Sequence, residues 1–197
     1  MLDGVFHKGL GSVGERNFRP HVSCVRPTPD NKYLCAVDNG IDQMKIYRVN
    51  RRTGRLELVD ILRCQRESGP KLIKFSPDGR FAYLNYELNN TIQVYRYDGS
   101  GKNPVFELLQ TESTLASHDD EAHDATSGMC LSADGKYIFC SNAGEDTVAM
   151  FKREEETGLL EKQCILPISG NYPKDLDVFP DGKHLAVVNL SLIHISE

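Results

Sequence analysis

Four short runs of consecutive mostly apolar side chains punctuate the chain: KYLCAV at 32–37, RFAYLN at 80–85, KYIFCS at 136–141 and KHLAVV at 183–188. Each follows a Pro-Asp-Asn, Pro-Asp-Gly or Ala-Asp-Gly turn. Runs of this length, bounded by turn residues, read as strands buried on both faces. The turn chemistry supports antiparallel pairing, because Gly and Asn accept the positive backbone angle of a tight connection. After each of the first three runs, a polar Asn/Gly/Asp turn leads into a more alternating strand, such as TIQVYRY at 91–97. A further turn (RRTGR, YDGSG or EEETG) then introduces a fourth strand, such as LELVDIL at 56–62 or LLEKQCIL at 159–166. Helical spacing is nowhere sustained.

The pattern is a repeat. The aligned aspartates Asp30, Asp78, Asp134 and Asp181 are separated by 48, 56 and 47 residues. One supersecondary unit per period of this size implies stacked modules rather than a single conventional core. Four antiparallel strands per unit predict an all-β fold, a β-propeller of four-stranded blades. The units fall at about 20–67, 68–124, 125–169 and 170–190, so about three and a half blades are present.

Composition narrows the partners. At 40% hydrophobic, 26% charged and a formal net charge of −5, the 197 residues have the balance of a globular protein. No Lys/Arg cluster invites nucleic acid or an anionic membrane. No apolar run spans a bilayer, and LDGVFHKG after Met1 lacks the regions of a secretory signal. The expected location is cytoplasmic. None of the six cysteines forms a CxxC pair, and Cys24, Cys35, Cys130 and Cys140 fall within strand-like runs. They are expected as reduced, apolar fillers.

The recurring unit resembles the lactonase family of seven-bladed β-propellers, typified by 6-phosphogluconolactonase. The resemblance rests on GSVGERNFRPHVSCV at 11–25, SGPKLIKFSPDG at 68–79 and NYELNNTIQVY at 85–95. It implies a ring of seven blades, so the chain is expected to be an interior portion of a protein about twice as long. Residues 1–12 would then be the outer end of a preceding blade, and residues 191–197, where the blade text breaks off, are expected to be a non-native tail.

The implied activity is hydrolysis of a sugar lactone, with 6-phosphogluconolactone as the first candidate substrate, in carbohydrate metabolism. Such a reaction needs a base for water, a cation or donor for the oxyanion, and basic residues for a phosphate. His21 matches the first His of the family's Pro-His-x-His, and Glu87 matches the Glu of its Asn-Glu-Leu; these are the expected catalytic residues. Arg19, Asp38, Lys71, Asn142 and Lys174, from loops that converge on one end of a propeller, are the expected substrate contacts. Each also has a structural reading: Glu87 as a turn cap, His21 as a tie between blades, the lysines as solvated charge. Ser23, Lys71 with Leu72, Gly128 and Ala143 stand where the family carries His, Arg-His, an acidic residue and Arg. These departures keep a non-catalytic binding or scaffold propeller open as the alternative, with a lactonising cycloisomerase behind it.

One further cluster, SHDDEAHD at 117–124, supplies His118, Asp120 and His123 as candidate ligands for a divalent metal. Its spacing matches no established zinc pattern, and acidic loops are commonly solvated, so no cofactor is expected.

Overall fold

The computed structural model describes residues 3–11, 17–116 and 124–191. Three four-stranded antiparallel sheets follow one another along the chain. The first comprises β1 (Val22–Pro27), β2 (Leu34–Asp38), β3 (Gln43–Val49) and β4 (Leu56–Arg63). The second comprises β5 (Pro70–Phe75), β6 (Phe81–Tyr86), β7 (Thr91–Asp98) and β8 (Val105–Ser113). The third comprises β9 (Ala125–Leu131), β10 (Tyr137–Ala143), β11 (Thr147–Arg153) and β12 (Leu160–Pro167). A two-stranded sheet, β13 (Asn171–Val178) with β14 (Leu185–Ser191), begins a fourth blade. This is the meander of a propeller, each strand pairing with its neighbour in sequence.

The core lies between blades rather than within them. Phe81 and Tyr83 of β6 pack against Met129, Ile138, Cys140 and Phe151 of the third blade. Their neighbours Ala82, Leu84 and Tyr86 pack the other way, against Cys35, Val37, Met44 and Ile46 of the first. Strand alternation therefore feeds two cores from one strand, which is why the run FAYLNY at 81–86 is continuously buried. Full burial of one such large apolar side chain contributes roughly 1.5–3 kcal/mol. All six cysteines are free thiols. Cys35, Cys130 and Cys140 sit in these cores, as expected, and burial pushes the Cys35 and Cys130 thiols up to about 12.

The Asp-Gly turns also stitch blades together. Gly79, Gly135 and Gly182 have positive φ of 73, 69 and 66°, and Asn31 (φ 54°) takes that place in the first unit. A Cβ on Gly135 would lie 2.4 Å from Cγ of Pro77, and one on Gly79 2.8 Å from Cβ of Pro29. The proline of one turn thus fills the space left by the glycine of the next. In the first three turns the aspartate accepts from a neighbouring hydroxyl: Thr28 to Asp30 (2.6 Å), Ser76 to Asp78 (2.5 Å) and Ser132 to Asp134 (2.6 Å).

A second stitch lies at the opposite ends of the strands. Asp42, Asn90 and Asp146 occupy equivalent places in the turn after each blade's second strand, all left-handed (φ 51, 50 and 55°). Each side chain accepts from the chain entering the next blade. Asp42 takes Gly69 N–H and Glu67 N–H (both 2.9 Å), Asn90 takes Thr126 N–H (2.9 Å) and Asp146 takes Tyr172 N–H (2.7 Å). Short polar side chains tolerate the left-handed region and satisfy main-chain amides at the entrance to the next blade, those of Gly69 and Thr126 being buried.

Residues 3–11 carry no strand. They lie on the first sheet through His7, whose Nδ1 meets Asp38 Oδ2 at 2.5 Å, and Asp3, which accepts from Leu56 N–H at 2.8 Å.

Candidate functional site

Every innermost strand contains a bulge near its start. The register skips Ser23 between Val22 and Cys24, Lys71 between Pro70 and Leu72, and Lys174 between Pro173 and Asp175. The third blade has the same shift at Ser127–Gly128, opposite Ser141. A bulge leaves one residue out of the ladder and re-aims it. Partner side chains satisfy the amides so freed: Asn85 Oδ1 accepts from Leu72 N–H (2.8 Å), and Ser141 Oγ from Gly128 N–H (2.9 Å). Lys71 and Lys174 are therefore equivalent positions, one in each of two blades. Ser23 is their counterpart in the first blade, and its hydroxyl donates to Lys71 O at 2.8 Å.

The four blades present these ends around a cavity of about 380 Å³, lined by His21, Asn39, Glu87, Ala125, Ala143, Tyr172 and Lys174. Glu87 is its best-defined group. Lys71 Nζ lies 3.3 Å from Glu87 Oε2, with about a fifth of each side chain exposed. Asn39 Nδ2 donates to the same oxygen and to Gly69 O, both at 3.1 Å, while Glu87 N–H donates to Gly69 O at 2.8 Å. One carboxylate oxygen is thus fixed from two sides, and Oε1 has no hydrogen-bonding partner among the described residues. His21 is exposed, and its ring likewise has none.

The structure brings together His21, Glu87, Lys71 and Lys174, and sets the other expected contacts apart. Asp38 is fully buried: besides His7 it accepts from His21 N–H (2.7 Å) and Gly40 N–H (3.1 Å), so it holds the loop that carries His21. Asn142 is equally buried, donating to Thr114 O (2.7 Å) and Thr147 Oγ1 (3.1 Å). Arg19 is exposed, its guanidinium 5.3 Å from the centre of the Phe18 ring, and does not line the cavity. By strand register Tyr86 is the counterpart of Asp38 and Asn142, so Glu87 stands one residue beyond their place, level with Asn39 and Ala143. His118, Asp120 and His123 lie outside the described residues; among the described ones, no group of three or more His, Cys, Asp or Glu could hold a metal.

Asn39 and Tyr172 were not foreseen. Asn39 reads as an ordinary turn residue, since its partners Gly69 and Glu87 are 30 and 48 residues away. Two larger surface hollows, about 510 and 520 Å³, carry cations such as Arg63 and Arg66, or Arg48 and Arg51, but no carboxylate–histidine pair.

Fold and site define a β-propeller whose polar cavity opens where the inner strands begin. The sequence model of the family "Lactonase, 7-bladed beta-propeller" matches residues 2–195, and the chain belongs to that family. It is 33% identical over 185 residues to an uncharacterised protein of Staphylococcus epidermidis, covering 94% of this chain and 52% of the relative. A Lactococcus lactis protein, also uncharacterised, is 34% identical over 178 residues, covering 90% and 50%. The chain thus spans about half the length of the curated relatives it matches. Among solved structures it is similar to a provisionally assigned 6-phosphogluconolactonase of Bacteroides fragilis (TM-score 0.83, 32% identity, 95% of this chain and 53% of that one). It is also similar to the periplasmic gluconolactonase of Pseudomonas aeruginosa (TM-score 0.80, 31% identity, 86% and 47%). Among the described residues no helix is long and apolar enough to cross a membrane. Since one neighbour is periplasmic, a cytoplasmic location does not follow from the fold.

Proposed function

We propose that the whole protein hydrolyses a sugar δ-lactone, with 6-phosphogluconolactone as the first candidate, and that Glu87 activates the water. The observation that carries this reading is the fixed Glu87 carboxylate at the lip of a cavity shared with His21 and Lys174. The names of two similar structures, a 6-phosphogluconolactonase and a gluconolactonase, support the substrate class. Oε1 of Glu87 takes a proton as the water oxygen bonds to the lactone carbonyl carbon. Lys71 or Lys174 stabilises the oxyanion that forms. The ring C–O bond then breaks, and the ring oxygen leaves as a hydroxyl, protonated from His21, to give the open-chain acid. The free thiols fit a reducing compartment, the cytoplasm in this proposal.

A propeller that binds the lactone without turning it over is the second reading, favoured by the direct Lys71–Glu87 ion pair, which neutralises the base. Proton release from 6-phosphogluconolactone, corrected for spontaneous hydrolysis, separates the two. The expected result is enzyme-dependent release that falls about a hundredfold or more in kcat in Glu87→Gln, the scale of a lost general base. Unchanged turnover in the variant removes Glu87 from the mechanism, and no excess rate from the folded wild type favours binding alone.

A further inference from the structure

Tyr172 has a backbone that its side chain disfavours. Its φ is +57°, in the left-handed region where a bulky non-glycine residue is a genuine outlier. It also precedes Pro173, whose ring pushes the residue before it toward extended backbone. The equivalent residue of the second blade, one before Pro70, is Gly69 at φ +59°. The fold requires this conformation at both places, because the latch from the preceding blade, Asp42 to Gly69 N–H and Asp146 to Tyr172 N–H, fixes the peptide. Glycine meets that requirement without strain; tyrosine does not. Nor does core packing compensate, since Tyr172 remains 49% exposed and lines the same cavity as Lys174, His21 and Glu87. Strain held against the local optimum, at a cavity lip, points to function.

We propose that Tyr172 is a substrate-contacting residue, its ring lying against the carbon face of a sugar-derived acid or lactone while Lys174, two residues on, takes the ligand's anionic group. The inference rests on the lactonase reading for the ligand class. A tyrosine suits the task because it combines a rigid apolar face with a polar tip. Lys174 is placed for an anion: it is the bulged residue of β13, and no acidic partner pairs with it among the described residues. The pair would make this side of the cavity the holding side and Glu87 with His21 the reacting side.

The test compares wild type, Tyr172→Gly and Tyr172→Phe in the protein carrying the complete propeller. Each is measured for 6-phosphogluconate binding by calorimetry, for lactone hydrolysis and for thermal stability. The expected result is that Tyr172→Gly melts no lower than wild type, because strain is released, yet binds 6-phosphogluconate at least tenfold more weakly. Its KM for lactone should rise with it, while Tyr172→Phe stays within about threefold of wild type in both. Equal binding and KM in Tyr172→Gly overturn the role of Tyr172 and leave the lactonase reading standing. Binding that depends on Tyr172 in a wild type that hydrolyses no lactone upholds the inference and overturns the hydrolysis. A folded wild type that neither binds nor hydrolyses overturns both.

Discussion

Asp42→Ala tests whether the side chains bridging consecutive blades hold the propeller together. Asp42 is 6% exposed and accepts from Gly69 N–H, Glu67 N–H and Asn17 Nδ2 at 2.9, 2.9 and 2.8 Å. Hydrogen bonds to a charged acceptor contribute about 1.5–3 kcal/mol each, and a buried amide left unsatisfied costs about 1–3 kcal/mol. Only Gly69 among the three partners is both buried and main-chain, so its N–H carries the larger part of the loss. Alanine in the left-handed conformation adds about 1 kcal/mol. The bonds are not independent, so the expected loss is about 4 kcal/mol rather than their full sum, at the upper end for single substitutions. Asp42→Asn keeps an acceptor and tolerates the backbone angle, so it should lose about half as much. The assay is urea unfolding of the complete propeller with the slope m held constant between variants. A loss below about 1 kcal/mol in Asp42→Ala, or equal losses in the two variants, would refute the reasoning.

Three further outcomes follow from the same geometry. Gly135→Ala should destabilise by about 2 kcal/mol or more, combining a positive φ with a Cβ that would lie 2.4 Å from Pro77; Gly182→Ala, with open space around it, should cost only the backbone term of about 1 kcal/mol. Desolvation alone would raise the Asp78 carboxyl, but the Ser76 hydroxyl and the Arg80 side chain, amide and charge outweigh it and bring it down to about 2. Its stabilisation is therefore complete above pH 4 and disappears as pH falls toward 2. With a third of the side chain exposed, about 1 kcal/mol should separate wild type from Asp78→Ala in urea at pH 7, and almost none at pH 2. Asn39→Ala should lower kcat about tenfold with little change in KM and move the pH–rate profile, because it frees Glu87 Oε2; a fall in stability with an unmoved profile would make Asn39 merely structural.

The architecture was legible because each unit repeats its own instructions: TIQVYRY at 91–97 falls within β7, and LELVDIL at 56–62 within β4. The cavity was half legible. His21, Glu87 and Lys174 stand in turns and bulges whose position follows from the repeat, whereas Asp38 and Asn142 look identical in sequence to groups facing a ligand. What separates them is one step along the chain: Asp38 and Asn142 stand level with the buried Tyr86, whereas Glu87 stands level with Asn39 and Ala143, which line the cavity, and no local pattern marks which step faces it. Asn39 and the latch aspartates escaped notice because their partners, the Glu87 carboxylate and main-chain atoms, belong to the following blade and are visible only once blades are stacked.

Those latches also decide what a recombinable piece of this protein is. Asp42 and Asn39 of the first sheet fix Gly69 and Glu87 of the second, and Asp146 of the third fixes Tyr172 of the fourth. A chimera cut between sheets would separate Glu87 and Tyr172 from the side chains that set their positions. The exchangeable cassette is offset from the visible blade: it starts before one blade's β2-type strand and ends after the next blade's turn carrying Glu87. Joints placed by that rule should transfer a working corner of the cavity, while joints placed at sheet boundaries should transfer only scaffold.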